Sequence, residues 1–136
     1  MVEAQVEGVT IRGRMDRLEH VDEGVRVTDL KTGKGGHSAK TVPDNPQLAA
    51  YQMALLASGK QVAGARIALL GGDKPKTFDQ KPLEGKTLEE WRGKVREVAA
   101  IARGPYFEAT PSDEACRYCS FDRLCPARER GRKVVE

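Results

Sequence analysis

The stretch Val25–Lys34, VRVTDLKTGK, decides how the rest of the chain is read. Val25, Val27, Asp29 and Lys31 alternate, and a period of two sends all four side chains to one side of a strand. Two valines mark that side as the buried one, yet an acid and a base follow on it. Such groups are buried only when paired or when the acid ligates a metal. Beyond Lys31 the strand breaks into a Gly-rich loop.

The stretch Thr10–Leu18 (TIRGRMDRL) reads as the preceding strand, and Glu19–Gly24 (EHVDEG) has the composition of a hairpin turn. A turn centred on Asp22-Glu23 pairs Leu18 with Val27 on one face and Met15 with Leu30 on the other. It also sets Asp16 opposite Asp29. Carboxylates opposed at about 5 Å repel each other, so this register asks for a cation between them. Asp16 and Asp29 then form a divalent-metal site with Lys31 as a cationic neighbour. The plainer alternative is a chance D-x-K in a structural strand, and a one-residue change in the turn sends the two acids to opposite faces.

At 136 residues, 39% hydrophobic and 32% charged, the chain is expected to be one soluble, cytoplasmic globular domain with its own core. No apolar run approaches membrane-spanning length and no signal peptide is visible. A net charge of +3 does not by itself announce a polyanionic partner. The distribution says more. Arg12, Arg14 and Arg17 surround Asp16, and Arg128, Arg130, Arg132 and Lys133 form a basic tail that is either solvated surface or a binding segment. Cys116, Cys119 and Cys125, spaced C-x2-C-x5-C, are too clustered and odd in number for a disulfide framework. They read as most of a metal or iron–sulphur site lacking one ligand.

In chain order, Val2–Val6, a turn at Glu7-Gly8 and the strand from Val9 predict a first hairpin, so an antiparallel three-strand meander is expected. Thr32–Pro43 is a flexible basic loop that lacks the full nucleotide-binding pattern, although Lys34 and Lys40 could touch a nucleic-acid backbone. Asp44-Asn45-Pro46 opens a helix that runs to Ser58 and stops at Gly59. On it Gln47, Tyr51 and Leu55 form one stripe with Leu48 and Leu56 alongside, and Tyr51 taken alone reads as a core aromatic with its hydroxyl tied off. Val62–Leu70 is a strand, and Gly71–Lys86 a polar connection of hairpin character. Thr87–Arg103 is a helix with a Thr87/Glu90 capping box and a buried face of Leu88, Trp91, Val95, Val98 and Ala102.

G-R-M-D-R (Gly13–Arg17), D-L-K-T-G (Asp29–Gly33), Q-L-A-A-Y (Gln47–Tyr51) and C-x2-C-x5-C-P (Cys116–Pro126), in this order, resemble the RecB-like branch of the PD-(D/E)xK nucleases. The resemblance is narrower still to the iron–sulphur members at the C-termini of AddB-type and UvrD/Rep-type helicases. It implies a restriction-endonuclease-like mixed α/β sheet flanked by helices, with a nuclease core over residues 1–103 and a cysteine loop and basic tail over 104–136. It implies that Asp16 and Asp29 bind Mg²⁺ or Mn²⁺, that Lys31 completes the catalytic set, and that Gln47 and Tyr51 line the active site and DNA path. Cys116, Cys119 and Cys125 match three ligands of a [4Fe–4S] cluster. The family's fourth cysteine and a metal-binding His lie upstream of its first strands; neither His20 nor His37 matches that His. The chain is therefore expected to be the C-terminal part of a nuclease module.

The implied activity is metal-dependent hydrolysis of single-stranded DNA, of exonuclease type, attached to a helicase in DNA break repair and recombination. The competing readings are a non-cleaving strand guide for a helicase, and a zinc-ribbon-like interaction domain built on the cysteines.

Overall fold

The computed structural model describes residues 1–33 and 35–127. Lys34 and the basic tail with Arg128, Arg130, Arg132 and Lys133 lie outside the described residues. The chain divides into two compact units, one spanning Met1–Ala99 and one beginning at Ala100.

The first unit is mixed α/β. β1 (Val2–Val6) and β2 (Val9–Gly13) form an antiparallel hairpin. Its turn residues Glu7 and Gly8 both have positive φ, the conformation that a two-residue hairpin turn demands. β3 (Arg17–Val21), β4 (Gly24–Lys31), β5 (Val62–Leu69) and β6 (Lys76–Gln80) form a four-stranded sheet in that order. β3–β4 and β5–β6 are antiparallel, whereas β4 and β5 run parallel. The parallel pair needs a crossover, supplied by α1 (Pro46–Ala57).

The expected continuous strand Thr10–Leu18 is broken: β2 ends at Gly13 and β3 begins at Arg17. The two hairpins therefore belong to separate sheets instead of one three-strand meander. The polar connection after β5 contains the strand β6, which pairs with β5 from Ala65↔Gln80 to Leu69↔Lys76.

α1 starts where the sequence places it, with the Asn45 side chain accepting from the Leu48 amide at 3.0 Å and Pro46 in the first turn. It is buried on two sides. Leu48, Tyr51 and Leu55 pack on the sheet with Val27, Ile67 and Leu69. Ala49 and Met53 join Val6, Leu83 and Trp91 in a second apolar cluster. A helix wedged between two layers has no polar face to spare, which explains why its sequence shows little amphipathic contrast.

α2 (Gly85–Arg103) begins before Thr87, so Thr87 lies inside the first turn and cannot cap it. The chain is already fixed at Leu83, whose amide donates to Gln52 Oε1 at 3.0 Å, and it turns into helix directly afterwards. Trp91 is buried, and Leu88 and Val95 pack beside it, but Val98 is 64% exposed and Ala102 is exposed as well. The apolar surface that α2 covers ends near Val95.

Two amides with almost no exposure hold these layers together: Gln52 at 0% and Gln80 at 3%. Gln52 Nε2 donates to Gln80 Oε1 at 2.9 Å and to the Lys81 carbonyl at 3.1 Å. Gln80 Nε2 points at the carbonyls of Val42, Pro43 and Asn45, at 3.3, 2.9 and 3.1 Å. Leucine at position 80 would take this donor from the Pro43 carbonyl and one bond each from the Val42 and Asn45 carbonyls and the Gln52 amide, which keep the Asn45 amide, the Ala49 amide and the Lys81 carbonyl, at roughly 1–3 kcal/mol for a buried group left unpaired. Gln80→Leu should lower unfolding free energy by about 2–4 kcal/mol in a urea titration. A loss below about 0.5 kcal/mol would mean that the amide pair does not hold the layers.

Candidate active site

The site forms at the carboxyl end of β4, a strand paired on both edges. The β3–β4 register is the one read from the sequence, with Leu18 opposite Val27 and Arg17 opposite Thr28. Asp16 falls one residue before β3 and is not part of the ladder. Its carboxylate instead accepts a hydrogen bond from the Leu30 backbone amide, Oδ2 to N at 2.9 Å. Where β3 has ended, a side-chain oxygen takes the place of a main-chain acceptor. Asp16 is thereby tied to the backbone between Asp29 and Lys31.

The break that frees Asp16 has a visible cause in Tyr51. Its ring lies against Gly13 so closely that a Cβ there would sit 2.8 Å from Cε1. Its hydroxyl donates to the Arg14 carbonyl at 2.9 Å. With Gly13 under the ring and Arg14 held by the hydroxyl, the chain leaves one sheet and enters the other around α1. Tyr51 is 9% exposed and belongs to the core cluster, so its observed contacts are those of a tied-off core aromatic.

Asp29 is 3% exposed on the core face of β4, registered with Ile67 of β5. Lys31 Nζ lies 2.7 Å from Asp29 Oδ2. This ion pair is the contact that Asp29 Oδ2 makes; the oxygen has no further hydrogen-bond donor. Lys31 Nζ also donates to Gln47 Oε1 at 3.2 Å, and Gln47 Nε2 donates to the Tyr51 hydroxyl at 3.2 Å. One chain of contacts therefore runs from Asp29 through Lys31, Gln47 and Tyr51 to Arg14, two residues before Asp16. Behind Lys31, its carbonyl accepts from the Leu70 amide at 2.8 Å, and Gly71 abuts the Thr32 carbonyl with no room for a Cβ. A surface cleft lined by Arg14, Met15, Asp16 and Leu30 opens alongside.

A divalent cation fits this donor set. The buried Asp29 carboxylate has the Lys31 ammonium at Oδ2 as its cationic neighbour, and a carboxylate oxygen with further lone pairs can still accept a cation. Asp16 supplies a second hard oxygen donor of the kind Mg²⁺ and Mn²⁺ prefer. Among the described residues no third His, Cys, Asp or Glu joins them.

The cysteines are a different case. Cys116 ends α3 (Asp113–Cys116), a turn capped by Ser112; Cys119 is exposed and Cys125 half-buried, and all three thiols are free. Among the described residues no three potential metal ligands converge. The thiols as arranged do not fit a [4Fe–4S] cluster, which takes four protein thiolates.

The sequence drew attention to Arg14 for its charge, whereas its part here is played by its carbonyl, and it did not disclose the packing reason for Gly13. Glycine in the middle of a β-rich stretch was the available signal, since it marks close approach of another group.

A sequence model described as the PD-(D/E)XK nuclease superfamily matches residues 1–126. The chain is 26% identical over 130 residues to the Gene 69 protein of Mycobacterium phage D29, covering 91% of this chain and 45% of that protein. It is 26% identical over 126 residues to the Gene 69 protein of Mycobacterium phage L5, covering 90% of this chain and 41% of that one. The chain thus spans less than half the length of these relatives. The crystal structure of SSO0001 superposes with a TM-score of 0.52 at 20% identity, covering 92% of this chain and 56% of that one, a likeness of fold.

Two outcomes follow from this geometry. Tyr51→Phe removes the anchor on Arg14 and the partner of Gln47, so the Mn²⁺ concentration for half-maximal binding should rise about 10-fold. Unaltered Mn²⁺ binding would leave Tyr51 a core aromatic with no hold on the Asp16 segment. Protein purified in air should carry well under the four irons per chain of a complete cluster. Four irons with matching sulphide would reveal a ligand set that these thiols do not display.

Proposed function

Because the chain belongs to the PD-(D/E)XK nuclease superfamily, we propose that it is a Mg²⁺-dependent (or Mn²⁺-dependent) nuclease module that hydrolyses phosphodiester bonds of single-stranded DNA. The reading rests above all on one juxtaposition: the buried Asp29 carboxylate, the Lys31 ammonium 2.7 Å from its Oδ2, and Asp16 tied to the Leu30 amide between them. A purely structural D-x-K ion pair does not call for a second carboxylate, Asp16, bound to the main chain between its two members.

The residues divide the work by position. Asp29 and Asp16 hold the cation, Asp29 from the core face of β4 and Asp16 from the broken end of β3. When bound, the cation supplies charge that offsets the phosphoryl oxygens and acidifies water. Lys31, a third exposed and aimed by Gln47, orients the nucleophile and meets the negative charge that develops on phosphorus substitution. Gln47 and Tyr51 keep this lysine and the Asp16 segment in place while lining the inner wall of the site. Binding of the strand rests on backbone charge with little reading of bases. Attachment to a helicase in break processing, exonuclease-type action and the RecB-like affiliation belong to the same proposal and rest on the order of the four motifs.

Asp29→Asn should reduce Mg²⁺-dependent loss of a single-stranded oligonucleotide to background, and Lys31→Ala should reduce it by about 10²–10³-fold. The thermal midpoint of Asp29→Asn should stay close to the parent's, because Lys31 is a third exposed and keeps its bond to Gln47 when the ion pair is lost. Cleavage by Asp29→Asn at the parental rate would refute the assignment. Tight oligonucleotide binding by the parent with no cleavage under Mg²⁺ or Mn²⁺ would favour the strand-guide reading.

A further inference from the structure

A second amine stands in the same row of the sheet as Lys31. Lys31 on β4 is registered with Leu69 on β5, and Leu69 with Lys76 on β6. Cross-strand partners point to one face. The next row, Asp29, Ile67 and Phe78, shows which face this is, because Ile67 is wholly buried in the core. Lys76 therefore stands on the face that carries Asp29 and Lys31, two strands away, about 10 Å between backbones.

Leu69 separates the two lysines, and it also lines a cleft with Gly72, Asp73, Lys74 and Lys76. Pro75 stiffens the chain between Lys74 and Lys76. The close packing of Gly71 on Thr32 ties the start of this loop to the segment after Lys31.

A lysine on an edge strand has an ordinary use, which is to block pairing with another sheet. That use does not require placement on the catalytic face or at the mouth of a cleft. Two neighbouring cations of the sheet are engaged, Lys31 by Asp29 and Gln47 and Arg66 by a two-point contact with Asp79. Among the described residues no side chain engages the ammonium of Lys76, although exposed Asp73 shares its cleft.

We infer that Lys76, with Lys74 beside it, forms a subsite for a backbone phosphate flanking the one that is cut. This deepens the nuclease reading and rests on it. A compact, rotatable ammonium suits a phosphate and carries no base preference. The subsite would set the register of the strand, holding the neighbouring phosphate while Asp29 and Lys31 act on the scissile one.

The test compares a single-stranded oligonucleotide with bis(p-nitrophenyl) phosphate, a phosphodiester with no neighbouring phosphate. For Lys76→Ala the ratio of kcat/KM on the oligonucleotide to that on the small diester should fall about 10-fold, with the loss in KM. The slope of log binding constant against log salt should become shallower by about 0.7. Lys76→Arg should recover most of both. An unaltered ratio and slope would overturn the inference, as would equal losses on both substrates, which would place Lys76 at the scissile phosphate. If the parent hydrolyses neither substrate, the nuclease reading fails, and the salt slope of oligonucleotide binding still decides whether Lys76 meets a phosphate.

Discussion

The Gln52–Gln80 amide pair is the constraint from which the rest of the first unit follows. α1 is apolar nearly all round, and apolar contacts alone tolerate sliding and rotation. Two fully buried amides do not, since any shift of the helix strips Gln52 of Gln80, of the Lys81 carbonyl and of the Leu83 amide together. Gln80 in turn holds the carbonyls of Val42, Pro43 and Asn45, immediately before the first turn of α1. A saturated polar network of this kind selects one packing among many of similar apolar burial.

Fixing α1 fixes the chemistry, because Gln47 and Tyr51 lie on the same helix. Tyr51 reaches across to Gly13 and Arg14 and creates the break that delivers Asp16 to the Leu30 amide. Gln47 reaches the other way and steers Lys31. The site is therefore suspended between a helix and a strand end, with the helix anchored elsewhere. What is left buried there is the Asp29 carboxylate, its Oδ2 met by the Lys31 ammonium, and a buried charge pair is kept in a fold only where surrounding structure over-determines it.

Much of this was legible in the sequence, for identifiable reasons. The β3–β4 register followed from a turn of fixed length and an alternation that admits one burial pattern. The start of α1 followed from Asn45-Pro46, a local signal whose partners lie within one turn. The break at Arg14–Asp16 was not legible, because its cause is Tyr51, distant in sequence, while the local residues have acceptable strand propensity. Gln52 and Gln80 were equally opaque, since a buried amide looks like a surface amide until its partner is known. β6 was read only as hairpin character in a polar connection, because KTFDQ carries a single large apolar residue, and Thr87/Glu90 satisfied a local capping pattern that the anchoring of Leu83 overrode. The pairing of Asp16 with Asp29 was read as a ladder contact, whereas Asp16 reaches the neighbouring backbone amide through its side chain.

The unit that begins at Ala100 is governed by a different balance. None of its described residues is buried, and Tyr106, Phe107, Tyr118, Phe121 and Leu124 are all more than half exposed. Short capped turns such as Ser112–Cys116 cannot hold such a segment, because a single turn carries the full cost of helix nucleation with little return. Apolar burial within the described part of this unit does not offset the entropy of ordering it. That leaves covalent or ligand cross-links as the strongest constraint its own residue types can supply, and the three cysteines are the residues capable of them. That no three of the described ligands converge agrees with the exposed aromatics: the first unit is specified by its own packing, and the described part of this one is not.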